Sequence, residues 1–300
     1  MRLKPLAASL LLCASLSVHA DEKSIPMDRV SWSFMGDSFS CQLKLLAEDH
    51  GSVELRQDAG SDLKVIYSPL IPSENSVLIG WAGAPWQEMS QSRRHSTRKN
   101  NHQYVANSTA AMELMRALDE GQWVAIKTNG TTMTIPSIRW EEPAHSFHLC
   151  RFNLSPMSIL QARDTTLYYT IGQRAVSEDH LETIHDIAKY INLDPEVSRV
   201  LIDSYTDNTG NRLANLQLSR ERAADVAAAL RDAGVPESMI ESRGHGQRFP
   251  SANNTTKEGR DKSRKVMIRI IRGPLPEQSE TIEQQDTVSQ QGNENDYFPN

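Results

Sequence analysis

The 300-residue chain lacks a basic excess. Its 32 Lys and Arg stand against 38 Asp and Glu, a formal net charge of −6. A nucleic-acid binder normally carries a basic field, so the overall balance argues against that class. Cysteine is scarce, at 3 residues, and no CxxC or clustered Cys/His spacing accompanies it. A metal site would need such further ligands. After the first twenty residues no apolar stretch approaches the roughly 18 residues of a membrane-spanning helix, so the remainder is expected not to span a membrane. The N-terminal half holds no compact His/Asp/Glu or Ser/Lys cluster, so neither enzymatic activity nor a cofactor is expected.

What is present begins with an export signal. Arg2 and Lys4 precede an apolar run from Leu6 to Val18, and Val18-His19-Ala20 places small residues before Asp21. That pattern predicts a signal peptide over residues 1–20, cleaved after Ala20, and a periplasmic location. The rival reading is a lipoprotein signal at Cys13, but Leu12 stands where a small residue is usual. Cleavage leaves Cys41 and Cys150, which in an oxidising compartment are expected to pair. Such a bridge would close a loop of about 100 residues, worth up to about 4–5 kcal/mol in the chain-entropy model. A metal site and a catalytic thiol are the rival readings.

The fold class expected is α+β, with a β-rich domain over residues 21–150. Phe39, Cys41, Leu43 and Leu45 alternate with polar residues, the period of a half-buried strand. Val53 and Leu55 repeat it, and residues 63–67, 77–81, 123–127 and 133–135 are further candidates. Asp49-His50-Gly51 and Asn129-Gly130 supply turns. One helix is expected, capped by Ser108, with Ala111, Met115 and Leu118 as its stripe and Gly121 at its end. The polar run over residues 87–102 holds Arg93, Arg94, His95, Arg98, Lys99 and His102. It reads as a solvated loop, or as a docking surface for an acidic partner.

A βαβαβ-type α/β sandwich is expected over residues 151–272. Ser155-Pro156 resembles a cap and first-turn proline of a short helix through Leu160. Residues 167–171 read as a strand, and Ser177 caps a helix with the stripe Leu181, Ile184, Ala188 and Ile191. Residues 200–205 form the next strand. A helix then buries Leu216, Ala223, Val226, Ala227 and Leu230, stopped by Gly234 and Pro236. Residues 265–271 are the last strand. Residues 273–300 are rich in Gln, Glu, Asn and Ser, a composition that predicts a disordered tail.

The chemistry concentrates where the second strand ends. Tyr205-Thr206-Asp207-Asn208-Thr209-Gly210 leads into a helix through Asn215-Leu216-Gln217-Leu218-Ser219-Arg220-Glu221-Arg222-Ala223. The turn can fold the helix back so that the Asp207 carboxylate and the Arg222 guanidinium face one pocket. An internal salt bridge is the plain alternative. Ser219, His245 and Asp207 have no oriented base among them and read as coincidence. Thr206-Asp207 with Asn215-x-x-Leu218-Ser219-x-x-Arg222-Ala223 resembles the signature of the OmpA-like peptidoglycan-binding family. Val235-Pro236, Arg243-Gly244-His245-Gly246, Asn254 to Arg260 and Arg264-Lys265-Val266 resemble its later segments in order. The resemblance implies noncovalent binding of the diaminopimelate residue of peptidoglycan stem peptides. By position, Asp207 would take the ligand's ammonium and Arg222 its carboxylate, with Thr206, Asn215 and Arg264 lining the pocket. Departures are Ser204, Tyr205, Ser263 and Lys265, and a first strand of Tyr168-Tyr169-Thr170-Ile171-Gly172 without the family's Phe-Asp-Ser pattern.

The N-terminal half carries a second resemblance. Trp32 to Leu43, Ala84-Pro85-Trp86, Gly121-Gln122-Trp123 and Phe147-His148-Leu149-Cys150 are similar to the N-terminal domain of the MotY family of flagellar motor proteins. That resemblance implies a Cys41–Cys150 disulfide. It also implies a structural role in the T ring of the flagellar basal body, with a MotX-like partner and MotB/PomB-type stator units anchored to peptidoglycan. The alternative is a general envelope protein that ties an unrelated N-terminal binding module to the wall.

Overall fold

The computed structural model describes residues 22–71, 76–87, 92–128, 131–249 and 253–273. The expected export signal with Cys13, the Asn129-Gly130 turn and the polar tail from Pro274 lie outside the described residues. The N-terminal half comprises β1 (Glu22–Ser24), β2 (Val30–Gly36), β3 (Ser40–Ala47), β4 (Gly51–Asp58), β5 (Lys64–Ser68), β6 (Val77–Ala82), β7 (Ser92–Ser96), β8 (Arg98–Asn100), β9 (Gln103–Ala106), α1 (Ser108–Asp119), β10 (Trp123–Thr128), β11 (Thr131–Ile135) and α2 (Glu141–Asn153). Two sheets result, in the orders β2-β3-β4-β5-β9-β8 and β1-β11-β10-β6-β7. Alternation along β3 puts Cys41, Leu43 and Leu45 inward, where Val53, Leu55, Leu114, Val124 and Phe147 complete one core.

Several elements differ from the sequence expectation. The cap of α1 is Asn107, whose Oδ1 accepts from the Ala110 N–H at 3.1 Å, and Ser108 is the first helical residue. Asn and Ser are near-equal caps, so propensity could not separate them. The described part of the polar run, residues 92–102, holds two strands rather than a loop alone: β7 and β8, each at the edge of a sheet. An edge strand pairs its backbone on one side and can keep charges in solvent, so Arg93, Arg94, Arg98 and Lys99 leave no apolar period. Helix α2 carries the Phe147-to-Cys150 motif, but buries only Ala144 and Phe147, too few for a visible stripe. The Cys41 and Cys150 sulfurs are bonded, closing a 109-residue separation.

The C-terminal half runs α3 (Ile159–Ala162), β12 (Asp164–Tyr168), α4 (Glu178–Leu193), β13 (Val197–Tyr205), α5 (Arg212–Asp232), β14 (Ile240–Gly246), α6 (Lys257–Ser263) and β15 (Lys265–Arg272). The sheet order is β12-β15-β13-β14. Val200, Ile202, Val266 and Ile268 share a second core with Ile184 and Ile187 of α4 and Val226 and Leu230 of α5. Ser177 does cap α4, accepting from the His180 N–H at 3.3 Å. The short helix begins at Ile159 rather than after Pro156. Ser158 and Gln161 form its capping box, while the Ser155 hydroxyl bonds the Met157 carbonyl at 2.9 Å. β12 ends at Tyr168, before the expected Ile171, because Gly172 (φ 75°) turns the chain at Thr170–Gln173. β14 is an additional strand, parallel to β13, with Asp203 opposite Arg243.

Phe39, expected on the apolar face of a strand, precedes β3 and packs on the second core, 5.4 Å from the Tyr190 ring. Nearby, Lys189 Nζ donates to the Leu154 carbonyl at 3.1 Å and Gln161 Nε2 to the Gly60 carbonyl at 3.4 Å. Among the described residues no helix is long and apolar enough to cross a membrane.

Candidate functional site

The site forms where β13 ends and α5 begins. Thr206 extends the strand by one pairing, its N–H donating to the Gly246 carbonyl at 2.9 Å. Its hydroxyl donates to the Asp207 carbonyl at 2.9 Å. Asn211 caps α5, accepting from the Leu213 and Ala214 N–H groups. One turn on, the Asn215 amide donates to the carbonyls of Asp207 at 3.3 Å and Thr209 at 3.0 Å, and to Gln247 Oε1 at 3.1 Å. Thr206 and Asn215 therefore hold the backbone of the Asp207 loop. Asp207 Oδ1 accepts from the Thr209 N–H at 3.0 Å, an Asx turn that aims the other oxygen inward.

That oxygen does not meet Arg222. Asp207 Oδ2 accepts from Arg264 Nη1 at 2.6 Å. Arg264 also donates through Nε to the Tyr169 carbonyl at 3.1 Å and through Nη2 to Asp261. Hydrogen bonds from Lys257 and then Arg264 hold the Asp261 carboxyl below its ordinary range. Arg222, 1% exposed, donates through Nε at 3.1 Å and through Nη2 to the Gln173 carbonyl. Its guanidinium lies over the Tyr169 ring, 4.6 Å from the centroid. Nη1 is buried with no hydrogen-bond partner. Burial pushes the Arg222 pKa below its ordinary value, and Arg264 and Arg174 push the same way while Tyr169 and then Asp207 oppose them.

All five sequence-predicted binding residues are thus buried around one strand end. Asp207, Arg264 and Arg222 are the charged members, while Thr206 and Asn215 are positioning residues. Sequence reasoning missed Tyr169, Gln173 and Asp261. Gln173 acts through its backbone carbonyl, which no residue pattern could mark. Ser219, His245 and Asp207 do not assemble a nucleophile. The Ser219 hydroxyl donates to the Leu216 carbonyl and accepts from the Gly246 N–H, both at 2.8 Å, and His245 Nε2 lies 2.6 Å from Asp203 Oδ1. Among the described residues no group of three His, Cys, Asp or Glu side chains is placed to hold a metal ion. Chemically, the arrangement offers a buried carboxylate shared with one arginine and a second arginine that has no counter-ion. It suits a ligand carrying both an ammonium and a carboxylate.

Residues 24–156 match the family model of the MotY N-terminal domain, and residues 168–264 match that of the OmpA family. The sodium-type flagellar protein MotY of Vibrio parahaemolyticus is 26% identical over 214 residues, covering 68% of this chain and 72% of that relative. The outer-membrane lipoprotein YfiB of Pseudomonas aeruginosa is 39% identical over 95 residues, which is 32% of this chain and 56% of that relative. Among solved structures, the C-terminal domain of Helicobacter pylori MotB aligns at 24% identity with a TM-score of 0.35, covering 37% of this chain and 86% of that domain.

Proposed function

We propose, for a chain that joins a MotY N-terminal domain to an OmpA-family domain, a structural role as a periplasmic component of the flagellar motor. Residues 21–150 serve as the motor- and partner-binding part and residues 151–272 as the wall anchor. The protein belongs to the T ring and ties stator units to peptidoglycan by noncovalent binding of diaminopimelate-containing stem peptides. A MotX-like protein, the basal body and MotB/PomB-type stator units are its partners.

The observation that carries this reading is the buried, counter-ion-free Arg222 beside the Asp207–Arg264 pair. The diaminopimelate side chain ends in an ammonium and a carboxylate. Asp207 accepts from the ammonium, and Arg222 meets the carboxylate through Nη1, the nitrogen that the Gln173 carbonyl leaves unpartnered. A stator must push against something immobile. Many subunits holding one covalent mesh multiply weak contacts through effective concentration, so each site need not be tight.

Two measurements test it. The mature protein is expected to sediment with purified peptidoglycan, and Arg222→Lys to lose most of that association because one ammonium cannot both hold the Gln173 carbonyl and present the separate donor that Nη1 supplies. Equal sedimentation of the two proteins contradicts the assigned pocket. Deletion of the gene is expected to abolish swimming while flagella still assemble, and normal swimming overturns the motor role. A second reading, a general envelope anchor, draws on the 39% identity of the C-terminal part to an outer-membrane lipoprotein. Envelope fragility without a swimming defect would favour it.

A further inference from the structure

Two polar atoms of the site are buried without any partner, Arg222 Nη1 and the Tyr169 hydroxyl oxygen. They belong to adjoining side chains, because the guanidinium lies over the tyrosine ring at 4.6 Å. Both residues are almost fully buried, at 1% and 3% exposure. Native proteins pair nearly all buried polar groups, so two orphans side by side point to a missing acceptor. No hydrogen bond from the surroundings reaches either atom. Gln173 offers its carbonyl to Nε and Nη2 of Arg222, away from Nη1. His180 packs 4.9 Å from the Tyr169 ring with its Nε2 engaged with the Tyr168 carbonyl at 3.0 Å, and its Nδ1, likewise buried without a partner, makes no hydrogen bond to the Tyr169 hydroxyl. Asp225 is the acidic group whose charge reaches Tyr169, without a hydrogen bond to it. Burial first, and then Asp225, raise the hydroxyl pKa to about 12, although Arg222 opposes them. The hydroxyl therefore keeps its proton and remains a donor at any physiological pH.

We infer that Tyr169 is a specificity-determining residue of this site: its hydroxyl and Arg222 Nη1 donate to the same carboxylate of the bound stem peptide. The inference rests on the wall-binding reading above and adds a donor that reading does not contain. A carboxylate has two oxygens and about four acceptor positions, enough for both donors at once. A phenylalanine at this position would pack under the guanidinium equally well and donate nothing. Two donors fixed by stacking also demand an acceptor at one place, so an anion lacking that position leaves both unpaired.

The test is Tyr169→Phe, measured by calorimetry against a soluble muropeptide whose stem peptide ends in meso-diaminopimelate, with thermal melting of both proteins alongside. The expected result is an affinity roughly ten- to a hundredfold weaker for the variant, the range for one hydrogen bond to a charged group, at an unchanged melting temperature. Equal affinities would overturn the inference and leave the wall-binding reading standing. A lowered melting temperature with unchanged affinity would overturn it too, since the hydroxyl would then bond within the protein, to His180 Nδ1, Asp225 or a buried water. No binding by the natural protein would overturn the wall-binding reading, and this inference with it.

Discussion

Arg264 Nη1 meets Asp207 Oδ2 at 2.6 Å, with only 8% and 11% of the two side chains exposed. Removing one partner of a buried ion pair leaves the other charge out of water and uncompensated, at a cost of about 3–5 kcal/mol. Arg264 would keep the partly exposed Asp261 as a partner, so Asp207→Ala is expected to destabilise the C-terminal domain by less than that, while weakening wall binding. Asp207→Asn keeps the acceptor for the Thr209 N–H and should be milder in stability, while losing the charge that an ammonium needs. Urea unfolding of both variants measures this. An alanine variant as stable as the natural protein would contradict the buried pair.

The same pair shows what was legible in the sequence. Asp207 and Arg222 stand out because a strand end, a loop and a helix place them within one local unit. Arg264 was named as a lining residue, but its ion pair with Asp207 spans 57 positions. That contact exists because β15 inserts between β12 and β13, a non-local arrangement that spacing cannot express. Strands with one buried face, such as β3 with Cys41, Leu43 and Leu45, betray themselves by alternation. β7, β8 and β14 are edge strands with polar residues on both faces, so they carry no period. Tyr169 looked like a departure from a family pattern, and its ring proves to be the platform under Arg222.

Asp58 gives the N-terminal half an acid-sensitive joint. Burial pushes its pKa up, but hydrogen bonds from Arg56 at 2.8 Å, Ser40 at 2.9 Å and Lys64 at 3.2 Å outweigh that and hold it below the ordinary value. A carboxyl with a depressed folded-state pKa stabilises the fold above its unfolded value, near 3.9, and loses that contribution as pH falls through the folded value. Asp58→Asn is thus expected to be less stable than the natural protein at pH 7, with the gap closing below about pH 4. Urea midpoints at the two pH values test this, and a gap that stays constant would show that the charge contributes nothing.

The Cys41–Cys150 bridge joins β3 to α2 across 109 positions. In the chain-entropy model a loop of that size stabilises by about 4–5 kcal/mol, chiefly through the unfolded state. Cys41→Ser with Cys150→Ser is expected to lower the melting temperature of the N-terminal domain. Wall binding should persist, because both cysteines belong to the core of the N-terminal half and Asp207 and Arg222 to the C-terminal half. Two free thiols in the purified mature protein, counted by mass after alkylation without reductant, would refute the bridge.

Gly60 sits in the turn between β4 and β5 with φ 67°, in the left-handed region that costs a residue with a Cβ about 1–2 kcal/mol. A Cβ there would also stand 2.8 Å from the Ser158 backbone nitrogen and 1.9 Å from Gln161 Oε1. Gln161 cannot simply move aside, because that oxygen accepts from the Ser158 N–H at 2.8 Å to close the capping box of α3. Gly60→Ala therefore adds to the backbone cost the loss of a helix cap, itself about 0.5–2 kcal/mol. Gly121 is the matched comparison: its φ is 77°, and a Cβ there would meet nothing within 4 Å. Gly121→Ala should show the backbone cost alone. Gly60→Ala should unfold at a lower urea concentration than Gly121→Ala, and the reverse order would mean that the α3 cap does not join the two halves of the chain.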